Sequence, residues 1–410
     1  MIASQQKYLE HQLAEKDFKL NSLLEITKAI NNNLPVDQLI KIYTYVLKEQ
    51  LGFPRFVLFL KQKDWEIFCK SGIKGKVKEI DVERDLIRFK ESTEIASSHS
   101  SLLQEFETIV PVYHKGTPLA FLLFTTNPKS QFNIIDEHSN TNFIQILTNI
   151  IVVAIENQRM TRLSIIQERI KKELEVASEM QKLLFPSDLP SNRRMDISAK
   201  YKPRHEVGGD YYDFIPLGDD EYTICIGDVS GKGIGAAMLM ANFQATIRTL
   251  FNYQRFDMEF LMEELNKKVM RNAKGEKFIT FFIAHYNATS RELTYVNAGH
   301  NHPFITTGKK VEYLSEGCIG LGMLDELPFI HVGKKILQPN TTLVLFTDGV
   351  VELENDSNEQ FSVERLASTV NAFYPLKMED LTNLIFSKLD EWRGTNSFVD
   401  DTAIFSCRFF

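Results

Sequence analysis

The chain has 410 residues, 43% of them hydrophobic and 25% charged, an ordinary composition for folded protein with room for two or three domains. Its net charge of −7 and pI near 5.8 argue against nucleic acid or an anionic membrane surface as its main partner. Four cysteines (Cys69, Cys225, Cys318, Cys407) lie far apart with no C-x-x-C pair, which suits reduced thiols in a cytoplasmic protein and neither a disulfide framework nor a zinc knuckle.

Residues 1–32 are predicted helical, with Leu9, Leu13, Leu20, Leu24 and Ile30 as apolar positions among charged ones. Charge and apolar residues mix throughout this stretch, so no secretory leader is visible. The segment NNNLP at 31–35 stops that helix and starts another. From 55 to 125 the texture changes to strands: RFVLFL, WEIFCKSG, ETIVPVYHKG and PLAFLLFTT, with HKGTP as a hairpin signal between the last two. A helical stretch from about 136 to 157 follows. Its apolar core, FIQILTNIIVVAI at 143–155, contains Gln, Thr and Asn and is too short to span a bilayer, so it reads as a buried helix. Helix, sheet, then helix describes an α+β module. This element order resembles a GAF-type sensory domain, over residues 33–157, which implies an unidentified ligand or partner there.

In RLSIIQERIKKELEVASEMQKLLFP, Leu163, Ile166, Ile170, Ala177, Met180 and Leu184 fall on heptad a/d positions, with Glu173 interrupting one d position. This pattern over 158–190 suits a two-stranded coiled coil, and so a homodimer, or a helix docked on a domain. Pro186 and Pro190 end the helix. The remainder, 191–410, reads as strands, two central helices at 234–251 and 257–272, many short strands, two more helices and a last strand.

The stretch CIGDVSGKGIGAA at 225–237 looks at first like a phosphate-binding P-loop. That loop needs four residues between its first glycine and the Gly-Lys pair, then Ser or Thr. Here only three separate Gly227 from Gly231-Lys232, and Gly233 follows, so the reading fails. Asp228 directs attention elsewhere. It is one of four aspartates at the edges of apolar strands: Asp210 in EVGGDYYDF, Asp228 in IGDVSGKG, Asp348 in LFTDGV and Asp400 in SFVDDTAIF. Each alone is an ordinary turn aspartate. Clustered on one domain they would repel, and an oxygen-only site suits Mg²⁺ or Mn²⁺.

These motifs, with GDVSGKGIGAAMLM, NAGHN and DDTAIF in the same order, resemble the type 2C (PPM) metal-dependent serine/threonine phosphatases, in their bacterial SpoIIE/RsbU branch. The resemblance covers residues from about 170 to 410. It implies a β-sandwich between helical layers and two Mn²⁺ or Mg²⁺ ions. By motif, Asp228 would bridge the ions and Val229 would offer its carbonyl to one. Asp210 would bind one ion directly or through water, with Asp228 and Asp210 positioning the metal-bridging water that attacks phosphorus. Asp348 and Asp400 would complete the second ion's shell, Asp400 being preferred to Asp401. Gly231 and Gly233 let the chain turn tightly after Asp228. His300, Lys232 and Arg204 are candidates for the cleft or for steering phosphate. Zinc at His300 and His302 is not expected, since no cysteine or third histidine stands near.

The expected function is therefore hydrolysis of phosphoserine or phosphothreonine on a regulatory protein. By resemblance that substrate is a STAS-domain anti-anti-sigma factor, with control by the N-terminal module through the 158–190 helix. The competing readings are a catalytically silent phosphatase-like scaffold and a ligand sensor acting by partner binding.

Overall fold

The central strands of the C-terminal half are apolar almost without interruption, the pattern of strands covered on both faces. Thr341–Phe346 and Thr402–Phe409 are buried at every position. Residues 2–73, 77–95, 102–126, 137–218, 220–253 and 257–410 are described by the computed structural model. By internal contacts the chain divides into two units, Met1–Glu168 and Arg169–Phe410.

The N-terminal unit holds a five-stranded antiparallel sheet in the spatial order Trp65–Ser71, Arg55–Lys61, Thr117–Thr125, Thr108–His114, Thr93–Glu94. The expected hairpin is present: Lys115 and Gly116 both take positive φ, 49° and 82°, the twist that a two-residue hairpin turn needs. One sheet face, with Phe56, Leu58, Leu122 and Phe124, packs on Ile26, Leu39, Tyr43, Leu147 and Ile151 from the helices. The buried helix read at 143–155 therefore forms. The N-terminal helix, Ile2–Asn31, packs through a different stripe from the one expected. Ile26 and Ala29 are buried, while Leu9, Leu13, Leu20 and Leu24 are exposed.

The two helical stretches read at 136–157 and 158–185 are one helix of 46 residues, Glu137–Lys182. Nothing between them breaks it, because the segment contains neither Gly nor Pro. Leu163, Ile166, Ile170 and Met180 stay between 47% and 60% exposed, and Leu184, past the helix end, packs into the core of the C-terminal unit. Among the described residues no helix is long and apolar enough to cross a membrane.

In the C-terminal unit two sheets lie face to face. The first runs Gly317–Cys318, Glu292–Ala298, Ile279–Asn287, Glu221–Val229, Tyr211–Pro216, with Gly333–Ile336 also pairing to Glu292–Ala298. The second runs Val311–Tyr313, Phe304–Thr306, Thr341–Phe346, Thr402–Phe409, Met195–Lys202. The period of two assigns the layers. Ile224, Ile226, Leu343, Leu345 and Phe405 point into the space between the sheets. Cys225 and Ile283 point outward under helices Ile234–Tyr253 and Met258–Ala273. Val344, Phe346 and Ile404 point outward under Val363–Ala372 and Met378–Arg393. The result is the α-β-β-α sandwich expected from the motifs. All four cysteines are free thiols, and only Cys69 is not fully buried.

One ion pair ties the first helical layer to its sheet. Asp213, with no exposed surface, accepts from Arg248 Nε at 2.8 Å and Nη2 at 2.9 Å, from the Tyr211 hydroxyl at 2.6 Å and from the Phe214 N–H at 2.9 Å. Removing Arg248 leaves a buried carboxylate with only the last two donors. Arg248→Met should lower stability by about 1.5–3 kcal/mol, the usual worth of hydrogen bonds to a charged group. Urea unfolding reported by Trp392 fluorescence in a Trp65→Phe background checks this. A loss below about 0.5 kcal/mol would show that Tyr211 and Phe214 alone satisfy the charge.

Candidate active site

Four strands deliver the motif aspartates to one end of the sandwich. In the first sheet Tyr211 pairs with Gly227, so Asp210, just before one strand, stands beside Asp228, near the end of the next. In the second sheet Phe346 pairs with Ile404, so Asp348 and the Asp400-Asp401 pair lie past the same edge. Hydrogen bonds of the aspartates themselves join the sheets there. The Thr347 hydroxyl donates to Asp210 Oδ2 at 2.8 Å, and the Gly209 N–H donates to Asp401 Oδ2 at 2.7 Å. The Thr347 hydroxyl also accepts from the Ala403 N–H at 2.9 Å, which fixes its direction.

Glycine permits this crowding. A Cβ at Gly349 would stand 2.0 Å from the Asp401 carbonyl oxygen, so Asp348 can sit against the neighbouring strand only if glycine follows it. Gly231 and Gly233 take φ of 86° and 72°, the left-handed turn expected between Asp228 and the helix starting at Ile234.

A cavity of about 290 Å³ opens among these residues, lined by Asp228, Val229, Lys232, Thr280, Asp348 and Asp400, with His300 and Asn301 in its wall. Its electrostatics are one-sided. Burial and the nearby Asp228, Asp401 and Asp348 push the Asp210 carboxyl well above the ordinary range. Burial, then Asp348, Asp400 and Asp401, raise Asp228 to about 7. Asp348 is raised too, by burial and Asp400. Burial and the same carboxylates raise the Tyr201 hydroxyl far above its usual value.

Does such a cluster suit a divalent cation? As the side chains stand, no group of three Asp, Glu, His or Cys residues among those described closes on a single point. Asp400 is turned aside, its Oδ2 accepting from Lys232 Nζ at 2.6 Å. The fit rests on Asp210 Oδ1, which is buried and, among the described residues, reached by no hydrogen-bond donor. Asp228 is the charge acting on Asp210 most strongly, and two ionised carboxylates have no proton to share. The pair must hold either a proton or a cation. An all-oxygen donor set of this charge fits Mg²⁺ or Mn²⁺.

The other candidates separate clearly. Lys232 is the one cationic side chain lining the cavity among the described residues. Arg204 does not line it: its guanidinium donates to the Val399 carbonyl and its N–H to Asp401 Oδ1 at 2.8 Å, so it shapes the Asp400-Asp401 turn. His300 lies in the wall but is locked. A carbonyl only accepts, so Nε2–H donates to Phe346 O at 3.1 Å, and Nδ1 accepts from the Thr280 hydroxyl at 2.9 Å. Burial lowers its pKa to about 4, so it is a neutral brace between the sheets, without a free nitrogen for substrate. Asp401 spends both oxygens on backbone N–H groups, while Asp400 borders the cavity. Two contributors were missed in the sequence: Thr347, which the strand-end position in FTDGV could have signalled, and Gln181, for which no local pattern exists.

Comparison with known proteins now has a geometry to refer to. Residues 218–410 match the family model described as Stage II sporulation protein E (SpoIIE). This half of the chain is similar to that family. It is 31% identical over 194 residues to phosphoserine phosphatase RsbU of Bacillus subtilis, covering 47% of this chain and 57% of that protein. It is 29% identical over 260 residues to protein IcfG of Synechocystis, covering 57% of this chain and 41% of that one. The chain thus spans about half the length of these curated relatives. Among solved structures, the SiaA-PP2C domain of Pseudomonas aeruginosa superposes with a TM-score of 0.54 at 22% identity, over 60% of this chain and 98% of that domain, which establishes a PP2C-like fold.

The raised carboxyls make stability depend on pH with a definite sign. A group whose folded pKa is above its unfolded value contributes stability at low pH and loses it as pH rises through the folded value. With EDTA, melting temperature should fall by several degrees as pH rises from about 4 to about 7, the unfolded and folded values of Asp228, and level off above that. Mn²⁺ should offset the fall, and Asp228→Asn should flatten it. A profile that Mn²⁺ and Asp228→Asn leave unchanged would contradict the cation-site reading.

Proposed function

We propose that the C-terminal unit is a protein serine/threonine phosphatase that works with two divalent cations, Mn²⁺ or Mg²⁺. One observation carries the reading: just before the stretch similar to the SpoIIE family, Asp210 Oδ1 is buried with no donor among the described residues, amid Asp228, Asp348 and Asp401. Asp210, Asp228, Asp348, Asp400 and the Val229 carbonyl would hold the cations. Bound there, the cations supply a nucleophilic water at neutral pH and draw charge from the phosphoryl oxygens.

The chain's own groups do the rest. Thr347 holds Asp210 by one oxygen and leaves the other for the site. Asp228 and Asp210 would orient the attacking water by fixing the cations. Lys232 Nζ, half-exposed at the cavity, is placed to draw a phosphate dianion once a cation replaces it on Asp400. His300 keeps Thr280 and Phe346 in place and exchanges no proton near neutrality.

The substrate in this reading is a phosphorylated STAS-domain protein in the cytoplasm; similarity to the phosphoserine phosphatase RsbU supports phosphoserine as the group removed, and the STAS-domain partner follows from the motif resemblance alone. The N-terminal unit, whose antiparallel sheet lies against helices on one face, is read as a GAF-like sensor for an unidentified ligand. Exposed Leu163, Ile166, Ile170 and Met180 support a coiled coil and a homodimer through the long helix, which would carry the sensor's state to the phosphatase.

Phosphate release from a phosphoserine STAS-domain protein tests the proposal. Turnover should require Mn²⁺ or Mg²⁺, stop in EDTA and fall by at least about 100-fold in Asp228→Ala, as loss of a principal electrostatic element predicts. No turnover on several phosphoproteins with either metal would favour the catalytically silent scaffold.

A further inference from the structure

Gln181 sits in the last turn of helix Glu137–Lys182 and is 7% exposed. Its amide meets one residue in both directions: Nε2 donates to the Gly208 carbonyl at 2.7 Å, and the Gly208 N–H donates to Oε1 at 3.2 Å. Only Asn and Gln side chains present a donor and an acceptor side by side in this way. Gly208 lies two residues before Asp210. Its other side is occupied: a Cβ there would stand 1.9 Å from the Tyr201 hydroxyl and 2.2 Å from Asp401 Oδ2. The loop Gly208-Gly209-Asp210 is thus held by Asp401, by Thr347 and by Gln181. The first two belong to the second sheet's strand ends, whereas Gln181 belongs to a helix outside both sheets.

The chain just beyond the helix continues from its last turn, with the Leu184 N–H donating to the Gln181 carbonyl at 3.0 Å, and has anchors of its own. Gln244 Nε2 donates to the Leu184 carbonyl at 3.3 Å. Phe185 packs on Tyr201 and Tyr212, with ring centroids 5.1 and 4.8 Å away. Residues turn about 100° around a helix axis per position. A rotation of the last turn by one position therefore takes the Gln181 amide off Gly208.

We propose that Gln181 is a positioning residue for the cation site: through the Gly208 backbone it holds Asp210 where its unpartnered oxygen completes that site, so cation affinity depends on the rotational state of the helix end. The inference rests on the reading of Asp210 as a cation ligand. Partners that orient metal ligands without touching the metal commonly change affinity by 10–100-fold when removed. By linkage, a bound cation must in turn favour the helix position that keeps the clamp closed.

The test is Mn²⁺ binding to the full-length chain, read from the electron paramagnetic resonance of free Mn²⁺, with no turnover required. Gln181→Met keeps the volume and removes both hydrogen bonds. It should weaken Mn²⁺ binding about 10-fold or more, and saturating Mn²⁺ should restore kcat to within about twofold of wild type. Gln244→Met, which releases the Leu184 carbonyl but not Gly208, should change binding by less than about twofold. Wild-type affinity in folded Gln181→Met, or equal weakening in Gln244→Met, would overturn the proposal. Wild-type protein that binds no Mn²⁺ would overturn the cation-site reading, and this inference with it. Should Gln181→Met fail to fold, hydrogen exchange of the wild-type chain decides. Mn²⁺ should slow exchange in the 203–212 loop and in the last helical turn together, and protection of the loop alone would refute the coupling.

Discussion

Ionised carboxylates brought out of water repel one another, and the end of the sandwich that carries Asp210, Asp228, Asp348, Asp400 and Asp401 is built around that repulsion. Desolvation is the leading cause of the raised carboxyls, and mutual charge follows it. Such an arrangement survives only if the surrounding backbone holds it and something positive or protonic occupies it. The backbone part is visible. Gly349 lets one strand end lie on another, Thr347 joins the sheets by hydroxyl, and Asp401 receives two N–H groups. Among the described residues the compensating charge at the cavity is slight, Lys232 turned toward Asp400.

Asp210 and Asp213, three residues apart in EVGGDYYDF, show how environment separates a structural carboxylate from a functional one. Asp213 has no exposed surface, and both its oxygens are met by Arg248, Tyr211 and Phe214. Asp210 is as deeply buried, yet one oxygen has no donor among the described residues. A fold rarely leaves such a group uncompensated unless a ligand completes it. His300 makes the converse case. It stands in a motif and in the cavity wall, but with both nitrogens engaged and a lowered pKa it is a brace.

The layers were legible in the sequence because period-two apolar runs and amphipathic helices are local signals. The aspartates were legible because each sits at a strand end, three of them beside glycine, in an order shared with a known family. What escaped the sequence was long-range. The contact between Gln181 and Gly208 joins residues 27 positions apart, and the hydroxyl of Thr347 reaches Asp210 across 137. Arg204 read as a phosphate-steering residue because its charge is visible in the sequence, whereas its engagement with the Val399 carbonyl is not. The long helix looked like two because burial changes along it: the half near Ile151 is in a core and the half near Ile166 is exposed. Composition changed there while backbone preference did not.

The central claim is that these aspartates together form a divalent-cation site. Anomalous diffraction at the manganese edge from Mn²⁺-soaked crystals tests it directly. The account predicts two peaks at the strand ends, one beside Asp210 and both within reach of Asp228. Peaks confined to surface carboxylates, with the end of the sandwich empty at saturating Mn²⁺, would contradict it.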